Sequence, residues 1–161
     1  MKNNKEILNS FKENLKEVKI NSEVFNLVEK IIDGYDSLTY NIDELYYVNL
    51  FFIPSFESNF EKISFLQFSS VIKCSDLFNN NYGLLLKVVN KINISLPIGS
   101  ILINTENQIL FKYIHVGIQG EEIEKNVFLE LINLINNIIR FNSNLLNQNN
   151  EEELEILLNK I

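Results

Sequence analysis

The sequence predicts an α+β fold, an antiparallel β-sheet packed by helices, in the order α-α-β-β-α-β-β-α-α. Three observations predict it. Stretches with a helical apolar period stand at both ends of the chain and once in the middle. Between them lie short runs rich in β-branched and aromatic residues. Those runs come in consecutive pairs, and strands adjacent in sequence pair locally.

The elements follow in order. Ile7, Phe11, Leu15 and Val18 share one face of a helix over residues 4–18, with Lys and Glu on the other. Asn21 or Ser22 caps a second helix, Glu23 sits in its first turn, and Val24, Leu27, Val28, Ile31 and Ile32 make its stripe. Gly34 stands where that helix would place its left-handed C-terminal residue. The run LYYVNLFFI (residues 45–53) is too short for a typical helix and reads as a strand ended by Pro54-Ser55. ISFLQFSSVIK (63–73) reads as a second strand, with Leu66, Phe68 and Ile72 on one face and Ile63, Phe65 and Val71 on the other. Asp76 to Asn81 is a polar connection.

A helix bearing Leu85, Val88, Val89 and Ile92 on one face runs into Leu96-Pro97-Ile98-Gly99. Pro97 stops it, because proline lacks an N–H and disfavours α geometry in the residue before it. Gly99 relaxes the backbone into a hairpin of strands 100–104 and 108–116, turning at Glu106-Asn107, where Asn107 tolerates positive φ. Gly117 to Gly120 breaks the strand pattern. The most apolar helix then begins near Glu121, with Glu121, Glu122 and Glu124 at its positive end, and runs to about Asn144 across the sheet. Asn150 caps a last helix, 151–161, with Glu153 at its third position.

At 161 residues the chain reads as one domain with a full core, 46% of it hydrophobic. Alanine is absent, Asn and Ile make up about 30% of the residues, and every basic residue except Arg140 is lysine. That bias marks an AT-rich coding sequence, so the Asn repeats carry no function of their own. A net charge of −7 without a basic cluster excludes nucleic acid and opposes an anionic membrane surface. No apolar run is long enough to span a membrane, and the N-terminus lacks the apolar core of a signal peptide. Cys74 stands alone, so no internal disulfide forms, which fits a cytoplasmic protein.

No set of reactive residues emerges. His115, the single histidine, lies on a strand without a positioned partner and reads as structural. Cys74 reads as a half-buried thiol. One His and one Cys make no usual zinc set, and no metal or cofactor is expected. Glu121-Glu122 and Glu151-Glu152-Glu153 read as helix-end electrostatics, and neither phosphate-loop nor nucleophile-elbow patterns occur. The aromatic cluster is the candidate partner surface: core packing claims most of it, and Tyr47, Phe51, Phe52, Phe65 and Phe68 are the residues chosen.

The strand FFIP (51–54), the strand FLQF (65–68), the helix end VVNKINISLPIG (88–99), the hairpin ILINTENQILFKY (101–113) and a closing helix through Arg140-Phe141 together resemble the YbjN-like domain family. That family shares its fold with type III secretion chaperones. The similarity covers about 45–146. It leaves residues 1–44 as an N-terminal helical extension and 150–161 as a C-terminal helix, both departures from the family. Within the family a helix with an Asn in a position like Asn93 precedes a Leu-Pro-x-Gly-like turn and a hairpin, which makes Pro97, Gly99 and Asn107 structural. The resemblance implies a non-enzymatic, cytoplasmic, homodimeric domain that binds a protein partner. The large Phe and Ile content favours an alternative, a sensor that holds an apolar small molecule between the sheet and the long helix.

Overall fold

The computed structural model describes residues 2–17, 27–32, 35–42, 46–53, 62–78, 81–105 and 108–160. Their elements in chain order are α1 (Asn4–Glu17), β1 (Leu27–Ile32), β2 (Tyr35–Ile42), β3 (Tyr46–Phe52), β4 (Ile63–Ile72), α2 (Tyr82–Ser95), β5 (Ser100–Ile103), β6 (Ile109–Ile118), α3 (Lys125–Leu146) and α4 (Glu151–Leu158). A short 3₁₀ turn, Asp76–Phe78, leads into α2. The fold is α+β, as expected. One six-stranded sheet runs β1-β2-β3-β4-β6-β5, with each pair of neighbours antiparallel.

The β3 sequence YYVNLFF shows why the sheet has two unlike faces. Side chains alternate across a strand. Tyr46, Val48, Leu50 and Phe52 are buried, while Tyr47 is exposed and Asn49 and Phe51 are half-buried. Strand β4 repeats the pattern, with Ser64, Leu66, Phe68, Ser70 and Ile72 buried. The buried rows face the helices. Phe128, Ile132, Ile135 and Ile139 of α3 complete the core against them. Helix α1 lies on this same side, where Phe11 stacks on Phe128 with ring centroids 4.3 Å apart and planes 8° from parallel.

Asparagine and glutamate fasten the helix starts. Asn3 and Glu6 form a reciprocal box at α1: Glu6 N–H donates to Asn3 Oδ1 at 2.9 Å and Asn3 N–H to Glu6 Oε2 at 2.8 Å. Asn81 Oδ1 accepts from Leu84 N–H at the start of α2, and Asn150 Oδ1 from Glu152 N–H at the start of α4. Tyr40, fully buried on β2, donates its hydroxyl to Asn136 Oδ1 of α3 at 3.0 Å.

Helix α2 ends as the proline requires. Leu96, the residue before Pro97, has extended dihedrals (φ −69°, ψ 129°). Gly99 has φ +73°, and a Cβ there would lie 2.7 Å from the Phe111 ring and 2.8 Å from the Lys112 carbonyl. Only glycine suits this crossing of β6. Asn93 braces the edge strand β5: its Nδ2 donates to Ile101 O at 2.9 Å and its Oδ1 accepts from Ile101 N–H at 2.7 Å.

The expected element order needs three corrections. The second helix is absent where it is described: Leu27–Ile32 is a strand, and a further strand follows at Tyr35–Ile42. The described residues of segment 1–44 thus form one helix and two strands, rather than a wholly helical extension. Ile32 pairs with Tyr35, because β-branched residues gain more from a cross-strand partner than from an isolated helix. Asn21, Ser22, Val24 and Gly34 lie outside the described residues. Gly117 does not end a strand, since β6 continues to Ile118. Finally, α3 starts at Lys125 with Glu124 as its cap, so Glu121 and Glu122 precede the helix instead of lining its first turn. Asn107 and Glu106 lie outside the described residues.

Candidate functional site

The sheet face away from the helices is the first candidate. Tyr47, Val71, Leu102, Val116 and Ile118 all point there and all are exposed, Val116 to 59% and Tyr47 to 56%. Register brings them onto one surface: Tyr47 and Phe51 share this face of β3, Phe51 pairs with Gln67 beside Phe65, and Phe65 pairs with Val116. Ser37, Thr39 and Asn41 of β2 fall on the same face by register but are buried, and Thr39 Oγ1 donates to Asn49 Oδ1 at 2.8 Å. The charged positions that the described strands place on this face are Lys112 on β6 and Lys30 on β1, both basic.

The five aromatic residues chosen from the sequence therefore divide by strand parity. Tyr47, Phe51 and Phe65 reach the open face. Phe52 and Phe68 point the other way, at 6% and 0% exposure, and belong to the core. As partner contacts Phe52 and Phe68 are corrected: a partner reaches them only if the helices leave the sheet.

A groove of about 220 Å³ is the second candidate. It runs between the end of α2 and the middle of α3, walled by Ile92, Leu96, Pro97, Ile138 and Phe141. Phe141 in its wall is 44% exposed. Asn142 forms part of the wall, and its Nδ2 donates to Ile138 O at 2.8 Å. Among the described residues its buried Oδ1 has no donor, a state that costs about 1–3 kcal/mol.

A third hollow, of about 200 Å³, lies between α1 and the far end of the sheet. Ile7, Phe11, Phe52, Leu66 and Ile123 line it, together with Ser64, His115, Gly117 and the carboxylates Glu121 and Glu122. Lys2 closes an ion pair with Glu122 at 2.5 Å. His115 is half-buried, and desolvation pushes its pKa below the usual imidazole value, so the ring is neutral near pH 7. The Tyr113 hydroxyl lies 3.5 Å from His115 Nδ1. A partner for His115 was not legible in the sequence; the structure sets the Tyr113 hydroxyl, two residues away on the same strand, beside its ring.

Phe68, Phe111, Ile132 and Ile139, between the sheet and α3, are all fully buried. Cys74 packs partly against the core, and burial, then the neighbouring Asp76 carboxylate, push its thiol pKa up against an opposing backbone hydrogen bond. Among the described residues no three His, Cys, Asp or Glu side chains gather as a metal site. No described helix is long and apolar enough to cross a membrane. No family model matches the chain, and no curated protein similar to it in sequence was found.

Proposed function

We propose that the chain is a non-enzymatic protein-binding domain of the YbjN-like, secretion-chaperone-like kind, working in the cytoplasm as a homodimer. The open sheet face is the dimer contact, and the groove between α2 and α3 takes an apolar segment of the partner protein. The carrying observation is the group of exposed apolar side chains, Tyr47, Val71, Leu102, Val116 and Ile118, on one face of the sheet.

Charge favours a second copy on that face. Each copy carries a net charge of −7, yet the charged positions that the described strands place there, Lys112 and Lys30, are basic, so the contact sets no carboxylate against another. The groove is apolar, has the exposed Phe141 in its wall, and among the described residues holds a buried acceptor without a donor. A chain segment that inserts an apolar side chain there suits it. The element run from β3 to α3 also follows the order that the sequence resemblance implied over 45–146.

Light scattering tests the dimer: the expected mass is twice 18.8 kDa, falling to 18.8 kDa for Val116→Asp. Capture from native lysate tests the groove, with a partner retained by the wild type and lost by Phe141→Glu. A wild-type monomer at tens of micromolar, or capture indifferent to Phe141→Glu, overturns the corresponding half of the proposal.

A further inference from the structure

Glycine 117 sits in the ninth position of a ten-residue strand, where glycine costs about 0.5–1 kcal/mol relative to alanine. Its φ is not in the left-handed region, so the backbone does not require glycine there. In strands such a residue often marks a place where something else approaches closely. What it leaves open is the polar wall of the hollow under α1. A methyl group built on Gly117 would lie 3.3 Å from Ser64 Oγ and 4.0 Å from His115 Nε2. An atom bound near that point is within reach of both groups.

Those two groups are poised for one hydroxyl. Ser64 pairs with Gly117 across the strands and is 95% buried; its hydroxyl donates to Ile118 O over a long 3.5 Å. When the Tyr113 hydroxyl donates to His115 Nδ1, the neutral ring carries its proton on Nε2, the nitrogen nearer Gly117. Nε2–H then donates to a ligand oxygen, whose own proton goes to Ser64 Oγ. The rest of the hollow, lined by Ile7, Phe11, Leu66 and Ile123, is apolar. A cavity of about 150 Å³ lined by such side chains binds benzene, so about 200 Å³ accommodates a substituted ring. Glu122 is neutralised by Lys2, so the mouth keeps the charge of Glu121 and offers an anion no cation of its own.

We infer that the hollow between α1 and the sheet is a binding site for a small, neutral, apolar molecule carrying one hydroxyl, read by His115 and Ser64 across the gap left by Gly117. The site is separate from the open face and the groove, and it does not depend on the protein-binding proposal.

Amide NMR of the full chain tests it with three probes of one size: p-cresol, toluene and benzoate. The expected result is a saturable shift of the Gly117 amide and the His115 ring with millimolar p-cresol. Toluene should bind roughly thirtyfold more weakly, because it makes neither hydrogen bond and each is worth about 1 kcal/mol, and benzoate should give no shift. Gly117→Ala should abolish the p-cresol shift while the ligand-free melting temperature stays level or rises. If that variant does not fold, Ser64→Ala should weaken p-cresol binding about fivefold, the loss of one of the two bonds. The inference is overturned if p-cresol leaves Gly117 and His115 unmoved. It is equally overturned if toluene or benzoate binds as well as p-cresol, or if p-cresol affinity is unchanged by both substitutions.

Discussion

Asn93→Ala should loosen the edge strand of the sheet by a predictable amount. Strand β5 has four residues, and one of its sides has no strand beside it. Asn93 reaches from α2 and occupies both the N–H and the C=O of Ile101, in the manner of a neighbouring strand. Each bond is worth about 0.5–1.5 kcal/mol net, so alanine removes about 2 kcal/mol in total. For a domain of this size that lowers Tm by about 4–8 °C. Urea unfolding followed by circular dichroism measures the loss, with an unchanged slope if the denatured state is unaffected. Amide exchange adds a local readout: Ile101 should lose protection while Leu66 in the sheet centre keeps it. Asn93→Asp keeps the acceptor but sets a carboxylate against the Ile101 carbonyl, and should cost at least as much as alanine at neutral pH. Either variant within about 0.5 kcal/mol of wild type, the range of an ordinary surface substitution, would refute the strand-mimic role of Asn93.

Gly99→Ala combines a left-handed residue, costing about 1–2 kcal/mol, with an approach of 2.8 Å to the Lys112 backbone that no rotamer relieves; a loss of about 2–4 kcal/mol by chemical denaturation is expected. Tyr40→Phe leaves Asn136 Oδ1 buried beside the lost hydroxyl and should cost about 1–3 kcal/mol in the same assay. Burial raises the Tyr40 pKa, so its contribution is fully present below the unfolded value near 10 and declines as pH rises above it; Tyr40→Phe should flatten the alkaline side of the stability curve. Burial lowers the His115 pKa, so its contribution is present above the unfolded value near 6.5 and declines as pH falls below it; the slope between about pH 6.5 and 5 should shrink in His115→Asn. The site is half exposed, so this slope is a fraction of what a fully buried histidine would give.

The strands from Tyr46 onward and the helices α2, α3 and α4 were legible because each has one periodicity and one set of end signals. The N-terminal third was ambiguous. Leu27, Val28, Ile31 and Ile32 fit a helical stripe, while Val28, Ile31 and Ile32 are β-branched and Asp33-Gly34 is among the strongest two-residue hairpin signals. Gly34 served both readings, and pairing with β2 decided between them. The alternation Leu38, Tyr40, Ile42 against Ser37, Thr39, Asn41 was a period-two signal that sequence reasoning passed over. The aromatic surface was half legible: parity along β3 and β4 separates Tyr47, Phe51 and Phe65 from Phe52 and Phe68 without coordinates. The hollow at Gly117 was not legible, because it depends on α1 crossing the end of the sheet more than a hundred residues away.

The stack of Phe11 on Phe128 sets a timetable for the ribosome. Helix α1 is synthesised well before its partner: the ring that receives Phe11 is made 117 residues later. At about 5–20 residues per second the wait is roughly 6–23 s. Throughout it Ile7, Phe11 and Leu15 have no finished α3 to rest on, although all three end up 1% exposed. Nascent α1 is therefore an apolar surface for a holdase to cover during the wait, and synonymous codons that slow translation between β6 and α3 would lengthen its exposure without altering one residue of the protein.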